Sequence, residues 1–137
     1  ALEEAVAARV SERARIRALA SRLTAGLRAS VPDAVVRGGG EPGFAPHIVH
    51  AVVPGASSET MLMLCDAAGL AVSSGSACTA GVVDRSHVLQ AMGHSPEESR
   101  SAVRFSLGWT STDADVDAAL AALPGVVAKA RAAGRLA

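Results

Sequence analysis

The stretch that decides the fold is residues 102–134, AVRFSLGWTSTDADVDAALAALPGVVAKARAAG. Its first seven residues alternate. Val103, Phe105 and Leu107 take one face of a strand and leave Ala102, Arg104 and Ser106 on the other, the period-2 pattern of a sheet that buries one side. The pattern then changes. Thr112 offers an N-cap hydroxyl, Asp113 and Asp115 follow in the first turn, and Lys129 and Arg131 come near the end, so the charges oppose the helix dipole. A helix is predicted over 112–134, bent at Pro124. One strand feeding one long capped helix places the chain in the layered α/β class.

Working outward, residues 3–30 predict a long amphipathic helix. Val6, Val10, Ile16, Leu19, Leu23 and Leu27 form one stripe, with Arg9, Glu12, Arg13, Arg17 and Arg22 largely off it, and Pro32 ends it. AVVRGGGEPGF reads as a short strand entering a Gly/Pro loop, and HIVHAVV as a β-branched strand. SSETMLMLCDAAG is a helix capped at Ser57 or Ser58, with Met61, Leu64, Cys65 and Ala68 inward and Gly69 as its stop. LAVSS predicts a further short strand and SHVLQAM a short helix. In HSPEES, Ser95, Pro96 and Glu98 spell a capping box with proline at the first helical position. The expectation is one domain over 1–137: about four strands in a mixed sheet, covered by helices.

Composition narrows the function. Thirteen basic residues balance thirteen acidic ones, and nothing in that balance suggests an electrostatic footprint for nucleic acid or an anionic membrane. Aromatics are 2% of the chain, too few for a base-stacking platform. No apolar run approaches the roughly 20 residues of a membrane span. The start ALEEAVAARV lacks a signal peptide's apolar centre, and the expectation is a cytoplasmic chain with both cysteines reduced. It begins without Met and already inside a helical pattern, as a piece of a longer protein would.

Chemistry concentrates in two places. Cys78 sits in SSGSACTAG, a run of small residues that offers nothing to bury a thiol. Two readings stay open: a tolerated loop residue, or a reachable nucleophile that must become a thiolate from a free pKa of about 8.5. Cys65 is its opposite, on an apolar helix face beside Met61 and Leu64, where packing is expected. Arg104, among small residues on the non-core face of its strand, is either a solvated side chain or a bidentate carboxylate clamp. His47 and His50, three apart on a predicted strand, point to opposite faces and cannot readily share an ion; both read as ordinary strand residues. With His87 at a helix start and His94 beside a cap, no zinc-like spacing emerges and no metal is expected. GGGEPG lacks the Lys-Ser/Thr of a phosphate loop.

Together, SETMLMLCDAAGLAVSSGSACTAG, SHVLQAMG and SAVRFSLGWTSTDADVDAAL closely resemble the pyridoxal-phosphate-dependent cysteine desulfurases of the class V aminotransferase (NifS/IscS-like) group, the branch with a long mobile active-cysteine loop. The resemblance covers essentially the whole chain but only the C-terminal small domain of that family, a part of fold-type I enzymes. It implies that Cys78, in an active-cysteine loop over 73–85, attacks the sulfur of L-cysteine and carries it as a persulfide, leaving L-alanine. It implies that Arg104 receives the substrate α-carboxylate. Mobility is expected over 74–84, and many relatives carry Asn in the strand of His47 and His50, whose role is open.

The same resemblance exposes what the chain does not carry. Pyridoxal phosphate needs a lysine for its Schiff base, and the single lysine, Lys129, lies in helix sequence with no cofactor-binding context. The cofactor-binding large domain of the family is missing, so no cofactor-binding residue is assigned here. The chain alone is expected to be inactive and, within a complete, typically homodimeric enzyme, to pass sulfur to an iron–sulfur scaffold or a tRNA-thiolation protein. The rival expectations are a stand-alone sulfur carrier that accepts a persulfide on Cys78, and a degenerate domain with a packing role, against which the intact SSGSACT and RFSLG motifs speak.

Overall fold

The computed structural model describes residues 2–74 and 87–135. The segment that holds Cys78, together with the mobility expected over 74–84, therefore lies outside the described residues apart from Ser74. Along the chain run α1 (Leu2–Ser30), β1 (Val35–Gly38), β2 (Ile48–Val52), α2 (Ser58–Ala67), α3 (His87–Ala91), α4 (Pro96–Ser99), β3 (Ala102–Ser106) and α5 (Asp113–Gly134).

The strands form one antiparallel sheet in the order β1-β2-β3. The layered α/β class is as expected, whereas the sheet has three strands among the described residues and is not mixed. LAVSS falls short of a strand because the Leu70 N–H is spent on the Cys65 carbonyl at the end of α2 (2.8 Å). Leu70 and Val72 pack on the core, and only Ser73 reaches the sheet, in a single bridge to Arg104.

Alternation decides which face each strand buries. Val36, Val49, Ala51, Val103 and Phe105 turn towards α1, α2 and α5 and join Leu19, Leu23, Leu27, Met61, Cys65, Leu123, Val126 and Val127 in one continuous core. Each fully buried leucine or valine there contributes about 1.5–3 kcal/mol. The expected caps are present: Ser57 on α2, a Ser95–Glu98 capping box on α4 and a Thr112–Asp115 box on α5. The last helix passes through the exposed Pro124 without ending.

The α1 stripe is only half used. Leu19, Leu23 and Leu27 are buried, but Val6 and Val10 are 60% and 79% exposed. The stripe is sound helix patterning, yet α1 extends beyond the sheet and α5, and the described residues offer nothing to cover its first turns. Where α1 does meet α5, Gly26 matters, since a Cβ there would overlap the Leu120 side chain. At the mouth of that contact Arg15 donates to the carbonyls of Ser111 (2.5 Å) and Trp109 (2.9 Å), and Arg22 pairs with Asp113 (3.1 Å) and Asp117. GGGEPG is a turn packed on α1: Gly39 has φ +60°, and a Cβ there would strike the Thr24 hydroxyl. Gly40 likewise lies against α1, beside Ser21 and Arg17.

Candidate active site on the open face of the sheet

The other sheet face is polar at its centre. In register, Arg37 of β1 opposes His50 of β2, and His50 opposes Arg104 of β3, so period-2 alternation sets all three side chains in one row across the sheet. One end of this face is covered where Leu89 of α3 packs on Val52 and Ala102. The rest opens into a cavity of about 550 Å³. Arg37, His50, His94 and Arg104 supply its polar groups, and Phe44, Leu89 and Met92 its apolar walls.

Arg104 is held by its backbone as well as by the sheet. Its N–H donates to the Ser73 carbonyl (2.7 Å) and its carbonyl accepts from the Ser73 N–H (3.0 Å). The residue that lines the cavity is therefore bonded to the residue that begins the Cys78 segment. The guanidinium Nε is buried with no hydrogen-bond partner, and no carboxylate among the described residues forms an ion pair with Arg104. An arginine kept from internal acids while lining a cavity is equipped to take an anion from outside, and its planar fork suits a carboxylate.

His50 departs from the sequence reading. It is not an ordinary strand residue: it is only 9% exposed, lines the cavity, and neither ring nitrogen has a hydrogen-bond partner. Burial, then the nearby His94 and Arg104, push its pKa down to about 4, so the imidazole is neutral at physiological pH. His94 stacks at a tilt against it, ring centroids 5.6 Å apart, and its Nδ1 lies 3.7 Å from the Glu98 carboxylate. His47 is corrected as well. It is an exposed turn residue just before β2, and its carbonyl accepts from the Leu107 N–H (2.9 Å). The signal that could have singled out His50 was its even placement with Arg37 and Arg104, which emerges only once the register is known.

Cys65 has the burial expected of it: it is fully buried and its thiol pKa is raised by that burial. Among the described residues no group of three or more His, Cys, Asp or Glu side chains is placed to hold a metal ion, and no helix is long and apolar enough to cross a membrane.

The model of the class-V aminotransferases matches residues 5–119 of the chain. The chain belongs to the class-V aminotransferase family. An IscS-like cysteine desulfurase of Mycobacterium tuberculosis is 48% identical over 120 residues, 88% of this chain and 30% of that protein. A cysteine desulfurase of Gluconacetobacter diazotrophicus is 42% identical over 120 residues, again 88% of this chain and 30% of that protein. A NifS-like protein from Rickettsia africae superposes with a TM-score of 0.71 at 26% identity, over 85% of this chain and 29% of that one. A second NifS-like protein, at 23% identity and TM-score 0.75, shares the fold over 93% of this chain and 31% of that one. The chain thus spans about 30% of the length of the curated relatives it matches.

Pyridoxal phosphate, the cofactor expected from this family, finds no anchor in the residues described. Lys129, the single lysine, is exposed on α5, in the helical layer, and does not line the cavity. The cavity offers arginine and histidine but no amine for a Schiff base.

Proposed function

We propose that this chain is the sulfur-accepting and carboxylate-binding part of a cysteine desulfurase. The observation that carries the reading is Arg104, unpaired, lining the cavity, and bonded through its backbone to Ser73. Relatives named cysteine desulfurase, matched over most of this chain, support the reaction class.

Arg104 binds the α-carboxylate of L-cysteine through its guanidinium fork, with the short side chain against the apolar wall of Leu89 and Met92. Cys78 lies five residues beyond Ser73 in the sequence. The Cys78 thiolate attacks the substrate sulfur. A sulfur–sulfur bond forms as the carbon–sulfur bond breaks. That bond's electron pair stays with the carbon skeleton, which takes up a proton to become L-alanine, and Cys78 is left as a persulfide. Pyridoxal phosphate, held by residues other than those described, would supply the electron sink such a cleavage needs. From Cys78 the sulfur passes to an acceptor, an iron–sulfur scaffold or a tRNA-thiolation protein, within a cytoplasmic, homodimeric enzyme.

Mass spectrometry after exposure of the chain to a sulfur donor tests the assignment. A gain of about 32 Da, one sulfur, is expected on Cys78 and not on the buried Cys65. Sulfur on Cys65 with none on Cys78 would refute the role given to Cys78. Alanine formed from L-cysteine and pyridoxal phosphate by this chain alone would refute its dependence on a further domain.

A further inference from the structure

Three buried polar atoms on the open face have no partner: Nε of Arg104 and both ring nitrogens of His50. They belong to directly opposed residues, because His50 faces Arg104 across β2 and β3. The pair is of the non-hydrogen-bonded kind, since the N–H and carbonyl of Arg104 both go to Ser73 on its other side. Opposed residues of that kind stand closer, about 4.5 Å between Cα atoms, and both side chains line the same cavity.

The orphaned atoms are chemically complementary. Nε of an arginine has a hydrogen and no lone pair to offer, while a neutral imidazole has one N–H and one free lone pair. Burial first, then His94 and Arg104, keep His50 neutral; Arg37 on β1 shares its row on the sheet, and the carboxylate of Glu98 lies behind His94. An acid at position 50 would pair with Arg104 and cancel its charge. A lysine would repel it, and an aliphatic residue would leave Nε without an acceptor.

The geometry points to His50 as the positioning residue of the carboxylate anchor: its unprotonated ring nitrogen accepts the Arg104 Nε–H when an anion engages the two Nη groups. Fixing Nε stops the guanidinium from turning about its stem and presents the Nη pair squarely to the two carboxylate oxygens. This inference rests on the reading of Arg104 as the carboxylate anchor, and the test separates the two.

Propionate, a carboxylate with a short apolar tail, is titrated into the 137-residue chain and followed by nitrogen-detected NMR of the arginine and histidine side chains. His50→Leu is expected to weaken propionate binding about tenfold, the usual effect of losing a hydrogen bond to a charged group. His50→Asn, whose carbonyl can accept the same bond, should restore affinity to within about threefold of the parent. Arg104→Gln should abolish binding in either background. Parental affinity in His50→Leu alongside lost binding in Arg104→Gln overturns the positioning role and leaves the anchor standing. Parental affinity in Arg104→Gln overturns the anchor itself. The unaltered chain gives a readout that needs no variant to fold: saturating propionate should slow exchange of the Arg104 Nε–H and shift one ring nitrogen of His50. A His50 ring that does not respond at saturation overturns the proposal.

Discussion

The two faces of the three-stranded sheet are built on opposite terms. The helix-covered face is aliphatic and closed, with Val36, Val49, Ala51, Val103 and Phe105 packed into one core. The open face sets Arg37, His50 and Arg104 in a row and leaves three of their polar atoms buried without partners. A buried polar atom without a partner costs about 1–3 kcal/mol, so the open face draws on stability that the closed face supplies. Adjacent residues of the same strand stand at these two extremes: Val103 is 1% exposed within the core, while Arg104 reaches the cavity.

Substitutions can probe that division, beginning with the largest effect. Leu123 of α5 is fully buried against the closed face, and Leu123→Ala should cost about 3 kcal/mol in urea unfolding, with no relief from neighbours that already fill the core. A loss below about 1 kcal/mol would mean that the closed face does not carry the fold.

The next effect belongs to the open face and depends on pH. His50 titrates near 4 in the folded chain, against about 6.5 unfolded. Between those values the unfolded chain binds the proton and the folded one does not, so stability falls as pH is lowered from about 6.5 to 4. The loss should be about 2 kcal/mol, discounted for the screening of a site beside an open cavity. Urea unfolding at pH 7 and pH 4.5 measures it, and His50→Asn should remove this part of the slope. An unchanged slope in His50→Asn would mean that His50 is not held neutral.

Smaller again is Thr112→Ala, which removes the hydroxyl that accepts the Asp115 N–H and should cost about 1 kcal/mol. That value lies well below the Leu123→Ala loss because α5 is held by its packed face more than by its end. Equal losses from the two changes would put the helix end on a par with the core.

How far the sequence reveals this arrangement differs between the faces. Periodicity marked the core residues of β3 and α5, and the capping boxes at Ser95 and Thr112 were legible because a cap is local chemistry read over four residues. LAVSS read as a strand although the end of α2 claims the Leu70 N–H, a competition that composition does not display. Val6 and Val10 carry a sound stripe, but whether a stripe is covered depends on what lies opposite. Arg104 could be singled out as a candidate because its same-face neighbours, Ala102 and Ser106, are small. His50 could not, since its meaning comes from its opposition to Arg37 and Arg104, and the register that sets them together is a property of three strands distant in sequence.

The smallest expected change in stability is the most informative about the contrast. Arg104 sits on a central cross-strand pair with its Nε buried and unpaired, and no acid among the described residues compensates its charge. Were its side chain there to hold the fold, its removal would cost as much as a core truncation. Because it contributes no hydrogen bond through Nε and repels a proton from His50, Arg104→Leu should leave urea stability within about 0.5 kcal/mol of the parent or raise it. The backbone bridge to Ser73 does not need the side chain and should persist. The same substitution should abolish binding of small carboxylates, measured by propionate titration. A loss of about 2 kcal/mol or more would assign the guanidinium to the scaffold. Unchanged stability with lost binding would identify it as a group the fold tolerates for the sake of its ligand.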